Sequence, residues 1–386
     1  MSGHPGGHPT HLSGQAAAER HGHDVNMMRV DFNQAPFTVV WELTRACVLR
    51  CVHCRAVAQR TRHPQELTTD EGRDLLATIK SFGNPILVLT GGDPLMRPDL
   101  TELIRYAVHD LGLRASLTPS STPLVTKERL TEVKEAGIKR LAMSLDGATA
   151  DVHDAFRGFS GSFERTMRIL ADLREIDLPF QLNTTVTNTN VDTLPEIMEH
   201  VRASGAVQWS VFFLVPTGRA NVDQMVSPER HEELMHWLAE LSEKAVFDIK
   251  STAAPFYRRV AIERRRAAAG GGPVTFAGAG FRYEDGLDRP VQGVNDGKGF
   301  VFVSHIGEVY PNGFLPVSAG NVRTESLVDI YRDSQLFRDL RNPDKLWGKC
   351  GRCEYRDVCG GSRARAYGVT GDMFADDPAC VYQPAD

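Results

Sequence analysis

The sequence lacks the features that mark membrane, secreted and nucleic-acid-binding proteins. No apolar stretch approaches the roughly 18 residues of a membrane span, and the N-terminus has no apolar core of the kind found in secretory signals. Basic residues are not in surplus either, because 44 Lys and Arg stand against 49 Asp and Glu, which gives a net charge of −5. We therefore expect a soluble cytoplasmic protein of about two domains that binds neither membranes nor nucleic acid.

Cysteine is absent from the whole middle of the chain, between Cys54 and Cys350. None is therefore used there as a small buried apolar residue, although cysteine often plays that part. The seven cysteines instead form two groups, at positions 47, 51 and 54 and at positions 350, 353, 359 and 380. Because a disulfide framework is not expected in a reducing compartment, this clustering indicates metal ligation.

A strand–helix pattern repeats six times after a tail-like N-terminal segment. Residues 1–30 are rich in Gly, His and Pro, which favours disorder. Predicted strands span 38–43 and 85–90 and begin at residues 114, 138, 180 and 207, with helices such as 68–82 and 98–112 between them. The alternation predicts an α/β fold with parallel strands, closed or nearly closed into a barrel. An open doubly wound sheet is the competing arrangement.

Four loops follow predicted strands at the same edge of this sheet. They are the cysteine loop, TGGDPL (90–95), SLDG (144–147) and VPTGRA (215–220). In barrels and in open parallel sheets alike, ligands bind at the carboxyl ends of the strands. We therefore expect these loops to form one site.

The spacing of the first three cysteines favours an iron–sulfur cluster. Three thiolates occupy three corners of a [4Fe–4S] cluster and leave the fourth iron open to a ligand. A structural zinc ion needs a fourth ligand close by, and His53 lies between two of the cysteines, where simultaneous ligation is awkward. The spacing C-x3-C-x2-C also differs from paired C-x2-C zinc knuckles.

Two motifs in this order resemble the radical S-adenosylmethionine (radical SAM) superfamily. C-x3-C-x2-C follows the first predicted strand, and Gly91-Gly92-Asp93-Pro94 follows the second. The resemblance covers roughly residues 36 to 255 and implies a partial (β/α)6 barrel. It also implies that a [4Fe–4S] cluster binds S-adenosylmethionine, whose cleavage gives a 5′-deoxyadenosyl radical that removes a hydrogen atom from the substrate.

The resemblance also implies roles for individual residues. Cys47, Cys51 and Cys54 would bind the cluster, and the backbone of Gly91, Gly92 and Asp93 would meet the methionine amino group. Asp93 stands where many members have Glu. Ser144, Asp146 and Arg157 match the stretch that holds the cofactor's carboxylate and ribose, although a capping Ser or Asp and a surface Arg are the plain alternatives. His53 stands where an aromatic residue usually packs near the adenine.

The second cysteine group resembles the SPASM auxiliary-cluster extension. Cys350, Cys353, Cys359 and Cys380 supply four thiolates for one closed cluster, although zinc suits them equally on chemistry alone. Two cysteines of the complete pattern are missing, because Asn312 stands at one position and Ser362 or Arg363 at the other. We predict one auxiliary [4Fe–4S] cluster and leave open whether Asn312 or Ser362 binds iron or substrate.

The implied domain organisation has four parts. Residues 1–30 form a tail, 31–255 the core barrel, 256–295 a linker or helical connection, and 296–386 the SPASM-like domain.

The overall pattern looks most like the haem-biosynthesis branch, which contains the alternative haem synthases and the haem d1 enzymes. That resemblance implies an oxidoreductase that modifies, for example decarboxylates, a small-molecule haem precursor. Arg258, Arg259, Arg264, Arg265 and Arg266 could pair with its carboxylates, although a solvated helix face explains such a run as well. No catalytic acid or base is identified, and the weak candidates on the substrate side are His305, Tyr310, Asn312 and Tyr257.

Two other functions stay open at this point. The first is maturation of a ribosomally made peptide, although only about 30 tail-like residues precede the barrel where many such enzymes have an extra domain. The second is a non-enzymatic scaffold with two structural zinc sites, which would leave the Gly91-Gly92 loop unexplained. An enzyme of the family would also need an electron donor such as flavodoxin or ferredoxin.

Overall fold

The computed structural model describes residues 30–270 and 293–385, together with the backbone of 27–28 and 289–290. Nearly all of the predicted tail (1–30) and a large part of the predicted linker (256–295) lie outside the described residues. The fourfold domain division remains a prediction.

Ten strands form one sheet in the order β12-β11-β10-β2-β3-β4-β5-β6-β7-β8. Each pair of neighbouring strands in the series β10-β2-β3-β4-β5-β6-β7-β8 is parallel. At the β10 edge of the sheet, β11 pairs with β10 and β12 pairs with β11, both in antiparallel orientation. The strands of this sheet are β2 Thr38–Glu42, β3 Ile86–Thr90, β4 Arg114–Leu117, β5 Arg140–Ser144, β6 Phe180–Val186, β7 Gln208–Phe213, β8 Asp248–Thr252, β10 Phe300–Val303, β11 Glu308–Tyr310 and β12 Gly320–Asn321. A separate parallel pair joins β1 (Met27–Met28) to β9 (Arg289–Pro290).

The six predicted strands correspond to β2 through β7, so the α/β class and the parallel order are confirmed. Two parallel neighbours were not predicted. The sequence DIKST of β8 has a single large apolar residue, Ile249, and therefore gives no strand signal. Strand β10 pairs with β2, which lies far away along the chain, so no local pattern could show the pairing.

The sheet curves around one cavity. Residues from the inner face of every strand from β2 to β8, and of β10, line the same space. In β6 the partly exposed Gln181, Asn183 and Thr185 face this cavity, and the alternate residues, from Phe180 to Val186, are buried. This arrangement is a partial barrel and not the flat, doubly wound alternative.

Helices follow the strands and bury one face of the sheet. The helices of the described residues are α1 Thr69–Ser81, α2 Leu100–Arg105, α3 Lys127–Glu135, α4 Ala150–Arg157, α5 Ser162–Glu175, α6 Leu194–Ser204, α7 Pro228–Lys244, α8 Tyr257–Ala268, α9 Leu327–Asp333, α10 Gln335–Arg341, α11 Gly348–Arg352 and α12 Arg363–Thr370. The predicted helices 68–82 and 98–112 are confirmed as α1 and as α2 with a π-helical continuation to Asp110. Thr68 and Glu71 form the capping box that begins α1.

A buried ion pair fastens the C-terminal extension to the barrel. Arg365 of α12 and Asp377 are both fully buried, and their charged groups lie 3.1 Å apart. The Arg365 guanidinium also donates to the carbonyl oxygens of Phe213, the last residue of β7, of Leu214, which follows it, and of Ala253, which follows β8. The extension is thus attached through backbone groups at the carboxyl ends of two barrel strands.

None of the helices in the described part of the chain is long and apolar enough to cross a membrane.

We expect replacement of Arg365 by Met to lower the free energy of unfolding by about 3–5 kcal/mol, because Asp377 would stay buried without its partner. Urea unfolding followed by circular dichroism measures the change. Arg338 is the matched control, since its pair with Asp333 is exposed and its replacement by Met should cost less than about 1 kcal/mol. Equal effects of the two substitutions would contradict the anchoring role of Arg365.

Candidate functional site

One cavity of about 1090 Å³ fills the barrel and reaches the C-terminal extension. Its walls include most of the residues that the sequence singles out, namely Cys47, Cys51, His53, Cys54, Gly91, Gly92, Ser144, Arg157, Tyr257, Arg258, Asn312 and Ser362. Loops that are far apart in the sequence therefore meet in one space. This is expected, because each of them follows the carboxyl end of a parallel strand.

Backbone hydrogen bonds close the cysteine loop at its base. The Cys47 N–H donates to the Gln59 carbonyl at 2.7 Å, and the Gln59 N–H donates to the Arg45 carbonyl at 2.9 Å. Cys47 and Cys51 are buried and Cys54 is half-buried. The closed loop thus places all three sulfurs in the cavity wall.

The three thiols have different electrostatic surroundings. Burial raises the pKa of Cys47 to about 11 and also raises the pKa of Cys51. Burial opposes ionisation of Cys54 as well, but hydrogen bonds from the Ala58 N–H and from Arg219 outweigh it and lower its pKa. The Leu49 N–H lies 3.4 Å from the Cys47 sulfur, and Arg157 lies 3.7 Å from the Cys51 sulfur. These donors suit sulfurs that carry negative charge when they bind a metal.

The Gly91-Gly92 turn lies directly against the cysteine loop. The Gly92 N–H donates to the Thr44 carbonyl and the Asp93 N–H to the Ala46 carbonyl, both at 2.7 Å. A Cβ atom on Gly92 would come within 2.5 Å of the Ala46 carbonyl oxygen, so only glycine permits this approach. These two N–H groups are thus used within the protein, and an ammonium group, which is a donor, would need the carbonyl oxygens of the turn as acceptors.

The side chain of Asp93 points away from the cavity. Its carboxylate is fully buried and accepts from the Leu95 N–H at 3.2 Å and from the Thr122 hydroxyl at 2.5 Å. Burial raises the pKa of Asp93 to about 6. The side chain holds the turn after β3, so any contact of Asp93 with a cofactor falls to its backbone.

Asp146 lies behind Arg157 and does not line the cavity itself. It is fully buried, accepts from the Thr185 N–H at 2.7 Å and forms an ion pair with Arg157. Burial raises the pKa of Asp146, whereas for Arg157 the charges of Asp146 and Cys51 outweigh burial and raise the pKa. Of the predicted trio, Ser144 and Arg157 therefore reach the cavity, and Asp146 orients Arg157.

His53 is a neutral ring in the cavity wall. Its ring centroid lies 4.5 Å from that of Phe156, and its Nδ1 is buried without a hydrogen-bond partner in the described residues. Burial, with help from Arg157 and Arg219, lowers its pKa far below the ordinary value. An uncharged flat ring with an unused nitrogen is suited to packing beside a purine.

The four C-terminal cysteines line a second, smaller pocket together. The Gly361 N–H lies 3.4 Å from the Cys359 sulfur, and the Asp377 N–H lies 3.5 Å from the Cys350 sulfur. Burial raises the pKa of Cys359 to about 12 and that of Cys380 to about 11. Within the described ranges, no three His, Cys, Asp or Glu side chains are grouped so that they could hold a single metal ion. Four thiols with N–H donors aimed at their sulfurs fit the corners of a closed cluster.

The two positions that lack the expected cysteines face the large cavity. The Asn312 amide donates to the Asp296 carboxylate at 2.5 Å, and the Ser362 hydroxyl accepts from the Arg365 N–H at 3.2 Å. Asp296 is buried in the same wall, and burial raises its pKa. Sequence reasoning missed Asp296, because the stretch NDGKG around it is typical of a solvated turn.

Two of the weak candidates lie outside the cavity wall. His305 is buried and its Nδ1 lies 2.9 Å from the Glu42 carboxylate, and neither His305 nor Tyr310 is among the lining residues. Burial raises the pKa of Glu42, but Arg55 and His305 outweigh it and bring the pKa to about 2. Glu42 thereby positions Arg55, which does line the cavity.

The cavity wall is strongly cationic. Five arginines and three lysines line it against two aspartates, Asp177 and Asp296; the cations are Arg55, Arg114, Lys134, Lys139, Arg140, Arg157, Lys250 and Arg258. Among the five arginines of the predicted basic cluster, only Arg258 is in this wall. Arg264 is partly exposed and pairs with Glu243, which fits the helix-face interpretation, whereas Arg259 is buried and pairs with Glu232 and Glu263.

Comparison with known families finds two matching regions. The model of the radical SAM superfamily matches residues 41–201, and that of an iron–sulfur cluster-binding domain (SPASM) matches residues 295–354.

Full-length relatives and solved structures are also similar. An AdoMet-dependent heme synthase of Methanosarcina barkeri is 43% identical over 92% of this chain and 99% of the relative. A second one, from Oleidesulfovibrio alaskensis, is 42% identical over 99% of this chain and 96% of the relative. The crystal structure of Streptococcus suis SuiB bound to S-adenosylmethionine superposes with a TM-score of 0.65 at 14% identity, over 90% of this chain and 78% of SuiB, and shares the fold.

We expect anaerobically purified protein to be brown and to carry about eight irons per chain, four for each cluster. Replacement of Cys51 by Ala should remove about half of the iron, and replacement of Cys353 by Ala the other half, because each cluster loses a ligand. Iron analysis and absorption spectra measure this. Ser144→Ala, which changes the same cavity without removing a thiol, should keep the full amount. Unchanged iron in the Cys51 variant would show that this cysteine is not a ligand.

Proposed function

The chain belongs to the radical SAM superfamily, and we propose that it oxidatively decarboxylates the propionate side chains of a haem precursor. As a member of that family it is an enzyme that uses a [4Fe–4S] cluster and S-adenosylmethionine, and its C-terminal domain binds iron–sulfur.

We assign the cofactors to the residues that converge in the structure. Cys47, Cys51 and Cys54 would hold the first cluster, and Cys350, Cys353, Cys359 and Cys380 one auxiliary cluster. The carbonyl groups of Gly91 and Gly92 would accept from the methionine ammonium, Arg157 would meet the carboxylate, and Ser144 the ribose. His53 would pack beside the adenine. The chemistry of the residues supports each assignment, since thiolates are ligands for iron and carbonyl oxygens would accept from an ammonium group.

When bound, the cofactors supply a 5′-deoxyadenosyl radical that removes a hydrogen atom, and the auxiliary cluster is a one-electron acceptor. The protein's own residues bind, orient and shield. Asp146 holds Arg157 in place, and Glu42 holds Arg55. The barrel encloses the reacting groups, which limits side reactions with water.

The observation that carries this proposal is the charge of the cavity. Eight cations and two acids line this space, and the buried carboxylates of Glu42 and Asp146 behind the wall balance two of the cations, Arg55 and Arg157. A volume of about 1090 Å³ is above the range of ordinary small-ligand sites, as a nucleoside cofactor and a large ring together would require. The wall thus suits a large substrate with several carboxylates, which describes a porphyrin with propionate side chains. The names of the two heme synthase relatives agree with this substrate class.

We expect the protein, incubated anaerobically with dithionite, S-adenosylmethionine and iron-coproporphyrin, to form 5′-deoxyadenosine and to decarboxylate the porphyrin. Each propionate carboxylate converted to a vinyl group loses carbon dioxide, a hydrogen atom to the 5′-deoxyadenosyl radical and one electron to an acceptor; counted as the neutral acid, it also loses its carboxylic proton. Mass spectrometry should therefore show the loss of carbon dioxide and two hydrogens. Cys54→Ala is the inactive control. Formation of 5′-deoxyadenosine with an unchanged porphyrin would contradict the haem-precursor proposal, and modification of a candidate peptide instead would favour the maturase alternative.

We further propose that an acidic electron carrier, such as flavodoxin or ferredoxin, docks on the cysteine loop. Residues 43–65 contain five arginines and no Asp or Glu. Arg50 and Arg60 are exposed and form no ion pair within the described residues, and Val52 and Val57 are 39% and 49% exposed. We call these four residues the loop patch. Exposed basic and apolar side chains on the loop that carries the first three cysteines suit a small acidic redox partner.

Charge reversal at the loop patch, Arg50→Glu with Arg60→Glu, should slow S-adenosylmethionine cleavage about tenfold when reduced flavodoxin or ferredoxin is the donor. With dithionite the rate should not change, because that reductant needs no docking. Arg338→Glu, at an exposed position of α10, is the matched control. An equal loss with both reductants would mean that the substitutions damage the cluster site.

We also propose that the protein works in the cytoplasm. All seven cysteines are free thiols, as expected in a reducing compartment.

A further inference from the structure

Arg258 is a cation in the cavity wall whose hydrogen-bond partners in the described residues are backbone carbonyl oxygens. Its guanidinium donates to the Val358 carbonyl at 3.0 Å and to the Val294 carbonyl at 2.6 Å. It therefore lies where α8, the segment before β10 and the auxiliary cysteine loop meet. A guanidinium has more N–H donors than these two bonds use.

No carboxylate neutralises Arg258 within the described ranges. Burial lowers the pKa of its guanidinium, and the Cys359 sulfur acts in the opposite direction when it carries negative charge. Arg157 and Arg55 also line the cavity, but each has a carboxylate partner. Arg157 pairs with Asp146, and Arg55 pairs with Glu42. Arg258 is partly exposed to the cavity, and its remaining N–H donors meet no carboxylate of the described residues, so a carboxylate bound in the cavity is the partner that they suit.

The backbone beside Arg258 is shaped around the guanidinium. A Cβ atom on Gly293 would lie 2.5 Å from the Arg258 Nη1 and 2.3 Å from the Val358 carbonyl oxygen. Only glycine allows the chain to pass this close. The guanidinium is therefore held between two backbone segments, and such a rigid fork is suited to bidentate binding of a carboxylate.

We propose that Arg258 binds one carboxylate of the substrate at the boundary between the barrel and the auxiliary cysteines. This inference rests on the proposed function for the substrate class, and it adds the site that fixes the substrate's orientation. A carboxylate bound there lies at the side of the cavity nearest to Cys359, so the ring extends from that anchor toward the first three cysteines.

The competing role for Arg258 is a purely structural one, as a brace between α8 and the extension. The two roles differ in what they predict for ligands. An anchor distinguishes a free carboxylate from its ester, whereas a brace affects both ligands alike.

The experiment compares binding of iron-coproporphyrin and of its tetramethyl ester to the iron-loaded protein, by absorption titration. Arg258→Gln should weaken binding of the acid about 10- to 100-fold, the value of a charge-assisted hydrogen bond, and leave binding of the ester unchanged. Arg264→Gln, on the same helix and paired with Glu243, should alter neither. Iron content and absorption spectra show whether the auxiliary site near Val358 is intact.

The outcomes separate the inference from the proposed function. If the wild type neither binds nor converts iron-coproporphyrin, the proposed function fails, and the inference with it. If the wild type does both and Arg258→Gln binds the acid equally well, or loses acid and ester alike, the anchor alone is overturned. Should Arg258→Gln fail to fold, Arg258→Lys provides the test. Lysine keeps the positive charge but lacks the planar pair of N–H donors. Weaker binding of the acid alone, by less than is expected for Arg258→Gln, supports the binding of a substrate carboxylate by residue 258, and equal changes in the binding of acid and ester overturn it.

Discussion

The site depends on the close approach of two backbone loops at the carboxyl ends of β2 and β3. Two hydrogen bonds, from the Gly92 N–H to Thr44 and from the Asp93 N–H to Ala46, join the Gly91-Gly92 turn to the cysteine loop. Side chains on these glycines would collide with carbonyl oxygens of the cysteine loop. This contact therefore fixes the loop that carries the three thiols against the turn that follows β3.

Buried acids around this contact act mainly by positioning. Asp93 holds the turn after β3, Asp146 orients Arg157, and Glu42 orients Arg55. None of the three lines the cavity. Because Asp146 and Glu42 lie behind the wall and their arginine partners lie in it, the cavity meets the N–H donors of Arg157 and Arg55 while their charges are balanced from behind.

The C-terminal extension is part of the barrel's construction and not a separate attachment. Strand β10 extends the sheet beside β2, and Arg365 binds carbonyl groups at the ends of β7 and β8. The extension therefore closes one side of the cavity with Asp296, Asn312 and Ser362. Where a complete auxiliary pattern would have further cysteines, this protein presents the polar side chains of Asn312 and Ser362 to the large cavity.

The sequence by itself determined the α/β class, the six parallel strands β2 to β7 and the grouping of the seven cysteines, because hydrophobic periodicity and ligand spacing are local properties. It could not determine which polar residues reach the cavity. Asp146 and Arg157 belong to one motif, yet only Arg157 lines the wall, and of five neighbouring arginines only Arg258 does. Asp296 and the pairing of β10 with β2 gave no local signal at all. These features were decided by the tertiary structure, since they depend on contacts between segments that lie far apart in the chain.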